Sequence, residues 1–391
     1  MLTKFFLSFL VLSFLCSEAV FSNEVLIWTS NEGAAKAINE IKVDYEKEYK
    51  QKITVEVLNK DLTSLFKTAA LTGKGPDILL WANDVSGELA QSGLVEPLDE
   101  LPFLTENFLP VSLKAFKYKG RLYGYPYAVE SLALFYNKNM IKTPPESFEE
   151  IEQLALKINN PAKKTYGFLY DFKTFFFSFP ILNASGGYIF GEDASGGLNS
   201  KDIGITHQGF IDGLTFLQGL NTKGIIPSST DRGIAFENFK SNKLAFMIDG
   251  PWAIKDLNES RVNYGIAVLP TFKGKVAKPF VGVHGFMVRR SSKNKLRAKE
   301  FIEKFLLSKK GITTFYKFDN RAPARIDVLT ELSKSDPKVE ILRKSAENGV
   351  AMPNIPQMGS VWTAMGKALS LSLEQKMPAK EALNLVVNQI K

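Results

Sequence analysis

Three tryptophans stand where side chains can do chemistry. Trp81 and Trp252 each follow directly on an apolar run that reads as a strand, and Trp362 follows the segment Met352-Pro353-Asn354-Ile355-Pro356 at the start of a helical stretch. A rigid indole face matches the apolar face that axial C–H bonds give a sugar ring, and fixed, charged donors and acceptors answer its hydroxyls. Asp84 and Glu130 are candidate carboxylates near these platforms, among many that the residues alone do not rank. One tryptophan alone is more often core packing than a platform, and Trp28, inside a strand, is read that way. Three on loops beside carboxylates point to binding.

Catalysis has thin support. The two histidines, His207 and His284, lack metal-ligand spacing, so no zinc site is expected. No nucleophile elbow, phosphate-binding loop or dinucleotide fingerprint follows a strand. A carboxylate pair can hydrolyse a glycoside, so a secreted glycosidase using Asp84 and Glu130 is the rival reading. The net charge of +8 raises nucleic-acid binding. No run of five basic residues occurs, however, and lysines alternate with acidic residues along helices, so a solvated surface explains the charge.

The elements that must position these residues alternate. Residues 25–28, 53–57 and 77–80 read as strands, with helices between them at residues 34–45 and 62–71. That alternation implies a parallel sheet covered by helices, whose ligands bind beyond the carboxyl ends of the strands. After Pro144-Pro145 a second α/β region begins. Ser147 and Glu150 have capping-box spacing; residues 244–248, 262–269 and 280–288 read as strands, and the chain from about Asp336 reads as all helical. With 391 residues and 45% hydrophobic content, the chain can build two globular cores.

The first 22 residues read as an export signal: Lys4, an apolar run over residues 5–16, and Val20-Phe21-Ser22 before a cut that makes Asn23 the new terminus. The run is too short to span a bilayer. The cut removes Cys16, the only cysteine; Phe14-Leu15 before it are not the small residues a lipid-anchoring signal needs. A periplasmic protein without disulfides follows.

Longer runs carry a resemblance. Gly75-Pro76-Asp77-Ile78-Leu79-Leu80-Trp81-Ala82-Asn83-Asp84, Ala90-Gln91-Ser92-Gly93-Leu94, Ala128-Val129-Glu130, Asn263-Tyr264-Gly265, Leu269-Pro270-Thr271-Phe272-Lys273-Gly274, Lys278-Pro279-Phe280-Val281-Gly282-Val283 and Met352-Pro353-Asn354-Ile355-Pro356-Gln357-Met358 make the chain similar, over essentially all of its mature length, to the maltose/maltodextrin-binding proteins of ABC transporters. The resemblance implies a two-lobed periplasmic-binding-protein fold with a hinge of crossing strands. Residues 23–129 with 284–328 would form one lobe, and 130–283 with 329–391 the other. It implies a sugar cleft lined by Trp81 with Ala82, Asp84, Glu130, Phe176, Trp252, Met352 and Trp362. It also implies no enzyme activity, no cofactor or metal, a monomer that docks on a membrane permease, and no nucleic-acid partner.

Several positions depart from the family pattern. Glu32-Gly33 stands for Asp-Lys, Val85 for an Arg, and Thr174-Phe175-Phe176 for Glu-Pro-Tyr. Thr363 replaces a Tyr and Gly366 an Arg; Arg232 replaces a cleft aromatic and would add a donor. Stacking residues are kept while polar partners change. The expected ligand is therefore an α-linked glucoside, ranked unlike a typical maltose-binding protein, with trehalose matching or exceeding maltose. A binding module for a non-α sugar is the third reading.

Overall fold

Three parallel strands begin the fold. In the computed structural model, which describes residues 24–58, 61–98, 102–192 and 197–390, Glu24–Thr29 lies between Lys52–Val57 and Ile78–Ala82. The expected export signal and Cys16 lie outside the described residues. The helices between the strands follow from local chemistry. Asn31 caps Glu32–Tyr49 by accepting from the Ala34 amide, and that helix buries Ala34, Ala37, Ile38, Ile41 and Tyr45 at helical spacing. Leu62–Leu71 starts on Asp61, whose side chain accepts from the Ser64 amide.

The remaining strands of this sheet come from far along the chain. Phe280–Val288, all nine residues buried, runs antiparallel between Ile78–Ala82 and Tyr125–Glu130. Ala322–Pro323 closes the edge beside Tyr125–Glu130. A β-branched and aromatic strand buried on both faces reads as a continuous apolar run, as here.

After Tyr125–Glu130 the chain crosses to a second sheet in the order Tyr264–Ala267, Ala133–Asn137, Leu244–Asp249, Tyr166–Phe168. The helices Met358–Leu373 and Ala379–Val387 pack on its core. Separate apolar cores therefore form. One gathers Ile27, Ile38, Phe286 and Phe315 around the first sheet; the other gathers Phe135, Phe168, Phe246 and Leu369 around the second. The molecule has two α/β lobes, and the long strand Phe280–Val288 has Phe280 in one core and Phe286 in the other.

Local details differ from the sequence reading. Ser147 accepts from the Glu150 amide at 3.1 Å, but the Glu150 carboxylate reaches back to the amide of Glu146 at 2.9 Å, one residue earlier than a capping box requires. The strand expected over residues 262–269 is Tyr264–Ala267. The C-terminal part is not wholly helical: Val350–Ala351 pairs in parallel with Phe280 and Val281.

Candidate ligand cleft

A cavity of about 540 Å³ opens between the two sheets. Its first wall is built at strand ends. Trp81 closes Ile78–Ala82, with Gly285 opposite it and His284 opposite Ala82. Glu130 closes Tyr125–Glu130, with Gly282 opposite. Thr29, Asn31, Glu32, Gly33 and Lys36 come from the turn into the first helix, and Asp319, Asn320 and Arg321 from the end of the helix Lys309–Asp319. Asn320 takes the left-handed conformation, φ 56°, that stops this helix and turns Arg321 into the cavity.

The opposite wall carries Trp252, Lys255 and Asp256. Trp252 sits in the turn Pro251–Ala253 after Leu244–Asp249. Its ring folds back over Gly250, where a Cβ would lie 2.3 Å from the indole, so only glycine admits this pose. Phe176 and Phe177 pack on the ring with centroids 6.2 Å away.

The floor is a charged network. Glu130 Oε2 accepts from Arg321 Nε at 2.5 Å and lies 3.2 Å from His284 Nε2. Arg321 Nη1 also donates to Asp319 Oδ1, which accepts from Asn31 Nδ2 at 2.7 Å, and Tyr127 donates to Asp319 Oδ2 at 2.8 Å. Burial by itself would raise the Glu130 carboxyl, but the His284 and Arg321 charges overcome it and hold Glu130 well below the usual carboxylate range. Arg321 loses charge stability to burial and regains more from Asp319 and Glu130, so it stays protonated.

Of the residues singled out by sequence, Glu32, Trp81, Ala82, Glu130 and Trp252 line this cavity. The others stand elsewhere. The Asp84 carboxylate accepts from Trp362 Nε1 at 3.2 Å through Oδ2, while Oδ1 is buried with no partner. Burial pushes this carboxyl up, against the Trp362 hydrogen bond and the His284 charge. Trp362 meets Phe175 and Phe280 edge-on at 5.7 Å, and Phe176 stacks near Phe280 as well as Trp252. Met352 is buried in the second core, its carbonyl accepting from Asn83 at 3.1 Å. Arg232 is not a free donor: its Nε and one Nη go to the buried Asp249 at 3.2 and 3.1 Å. Trp28 donates its indole N–H to Glu56 on the neighbouring strand.

Sequence reasoning missed Arg321, Asp319, Asn31 and the part His284 plays. The polar run Asp319-Asn320-Arg321 follows an amphipathic helix and precedes a short buried strand, but nothing local to it names Glu130 as the partner. Among the described residues no group of His, Cys, Asp and Glu could hold a metal, and no helix is long and apolar enough to cross a membrane.

Residues 40–341 match the model of the bacterial extracellular solute-binding proteins. Three relatives cover most of the chain. A maltodextrin-binding protein of Bacillus subtilis is 28% identical over 94% of this chain and 89% of its own length. A galactooligosaccharide-binding protein of the same organism is 30% identical over 93% and 87%. A maltooligosaccharide ABC transporter solute-binding lipoprotein of Streptococcus pneumoniae is 28% identical over 92% and 86%.

Proposed function

The chain belongs to the bacterial extracellular solute-binding protein family, and from that premise we propose that it is the extracytoplasmic receptor of an oligosaccharide ABC importer. One observation carries the reading: two indoles, Trp81 and Trp252, face one cavity from opposite lobes above the Glu130–Arg321–Asp319 network. A sugar ring stacks on the indoles and turns its hydroxyls to the network. Arg321 and His284 both converge on Glu130 Oε2, which leaves Oε1 to accept from a hydroxyl. Glu32 at the cavity mouth adds a further acceptor. Phe176 packs behind Trp252, the Asp84–Trp362 pair and Met352 stand outside the cavity lining, and Arg232 is paired with Asp249.

The lobes in this reading are residues 23–129 with 284–328, and 130–283 with 329–391. They close by a hinge, driven only by the ligand's better affinity for the closed state. The closed monomer delivers its sugar to a membrane permease. The family and its relatives bind and transport rather than catalyse, and the carboxylates support the same reading here. Glycoside hydrolysis needs two carboxyls flanking one bond; Glu130 lines the cavity, while Asp84 is buried outside it against Trp362.

The ligand is a neutral oligosaccharide, with α-glucosides placed first. A galactooligosaccharide is the second reading, favoured by the Bacillus subtilis relative at 30% identity. A thermal-shift screen of the protein against maltose, maltotriose, trehalose, sucrose, cellobiose and galactooligosaccharides tests both. At least one raises the melting temperature, and no new reducing ends form from maltotriose on incubation. New reducing ends would establish the glycosidase instead.

A further inference from the structure

The Arg321 guanidinium lies over the Trp252 ring, 5.6 Å from its centroid. The two residues belong to opposite walls of the cleft, so an arginine of one lobe reaches over the indole of the other. It is not a loose surface side chain. Arg321 is 11% exposed and is tied through Nε to Glu130 and through Nη1 to Asp319. Asp319 is itself fixed by Asn31 and Tyr127. Swinging Arg321 off the indole would break its charged hydrogen bonds to two buried carboxylates, which costs more than one stacking contact returns.

We propose that Arg321 is the length-setting residue of the cleft: it caps Trp252, ends the row of stacking positions there, and offers its remaining N–H donors to the terminal sugar ring. The inference rests on the reading of the cleft as an oligosaccharide site. A guanidinium has five N–H donors in a fixed plane. Two are used by Glu130 and Asp319, so three remain for the hydroxyls of a ring that abuts it. A ring placed on the far side of the guanidinium is cut off from the indole by it. Affinity therefore rises with chain length only until the terminal unit reaches Arg321, then stops.

The test is calorimetry with two ladders, maltose to maltotetraose and the corresponding galactooligosaccharides, on wild type and Arg321→Ala. Arg321→Gln, which keeps a donor toward Glu130 and uncovers part of the ring, is read in its place if melting shows that Arg321→Ala does not fold. In wild type the gain per added unit ceases at one length. In the variant the oligomer one unit longer gains about tenfold relative to that length, the worth of one more aromatic contact. A variant that weakens every length alike, with the ranking unchanged, overturns this inference and leaves the sugar-receptor reading standing. A wild type that binds neither ladder overturns both.

Discussion

At Glu130, burial favours the neutral acid while His284 and Arg321 favour the anion, and the charges prevail. The folded carboxyl therefore titrates well below its ordinary value of 4.5, which is close to its value in the unfolded chain. The unfolded chain binds the proton more tightly, so the pairing contributes full stability above about pH 4.5 and loses it as pH falls below that. Melting temperature measured from pH 7 to pH 3 falls steeply on the acid limb in wild type. Glu130→Gln, starting lower at pH 7, shows a shallower limb; parallel limbs would mean that the Arg321 and His284 pairing does not govern acid stability. Trp81 and Trp252 were readable in the sequence because they stand at or just past the carboxyl end of a strand, where ligands gather, although Trp81 is the next-to-last residue of its strand rather than the first beyond it. Arg321 was not, because its partner Glu130 lies 191 residues away, and no local pattern marks a contact made only by the fold.

Two family departures have opposite physical causes at the level of the helix. A Cβ at Gly33, in the first turn of Glu32–Tyr49, would lie 2.6 Å from the Phe318 carbonyl oxygen at the end of the facing helix. Lysine cannot be accommodated there without moving one helix against the other. Gly33→Lys, although it restores the family residue, destabilises by about 1–3 kcal/mol, the usual range for overpacking. At Gly366, inside Met358–Leu373, a Cβ meets nothing within 4 Å. Gly366→Arg gains about 0.5–1 kcal/mol from helix propensity alone. Chemical denaturation of the two variants checks the pair, and equal effects at both sites would refute the steric account. Leu62–Leu71 was legible residue for residue because its period and cap are local. The pairing of Val350–Ala351 with Phe280 and Val281 was not, since two residues of strand carry no period and their partner lies some 70 positions away.

The whole molecule divides its labour between lobes. The first supplies Glu32, His284, Asp319 and Arg321, which meet Glu130 where the chain crosses over; the second supplies aromatic surface, through Trp252 backed by Phe176 and Phe177. A ligand with one apolar face and a rim of hydroxyls satisfies both only when the lobes meet around it, and this difference drives closure. Isothermal titration of wild type and Trp252→Ala with maltotriose, trehalose and a galactooligosaccharide tests this most directly. At least one sugar binds the wild type in equal stoichiometry. Trp252→Ala, melting within a few degrees of wild type, loses about 1–3 kcal/mol of that binding, as for a central aromatic anchor. Wild type that binds none of the three sugars, or a folded Trp252→Ala that binds as tightly as wild type, would contradict the account.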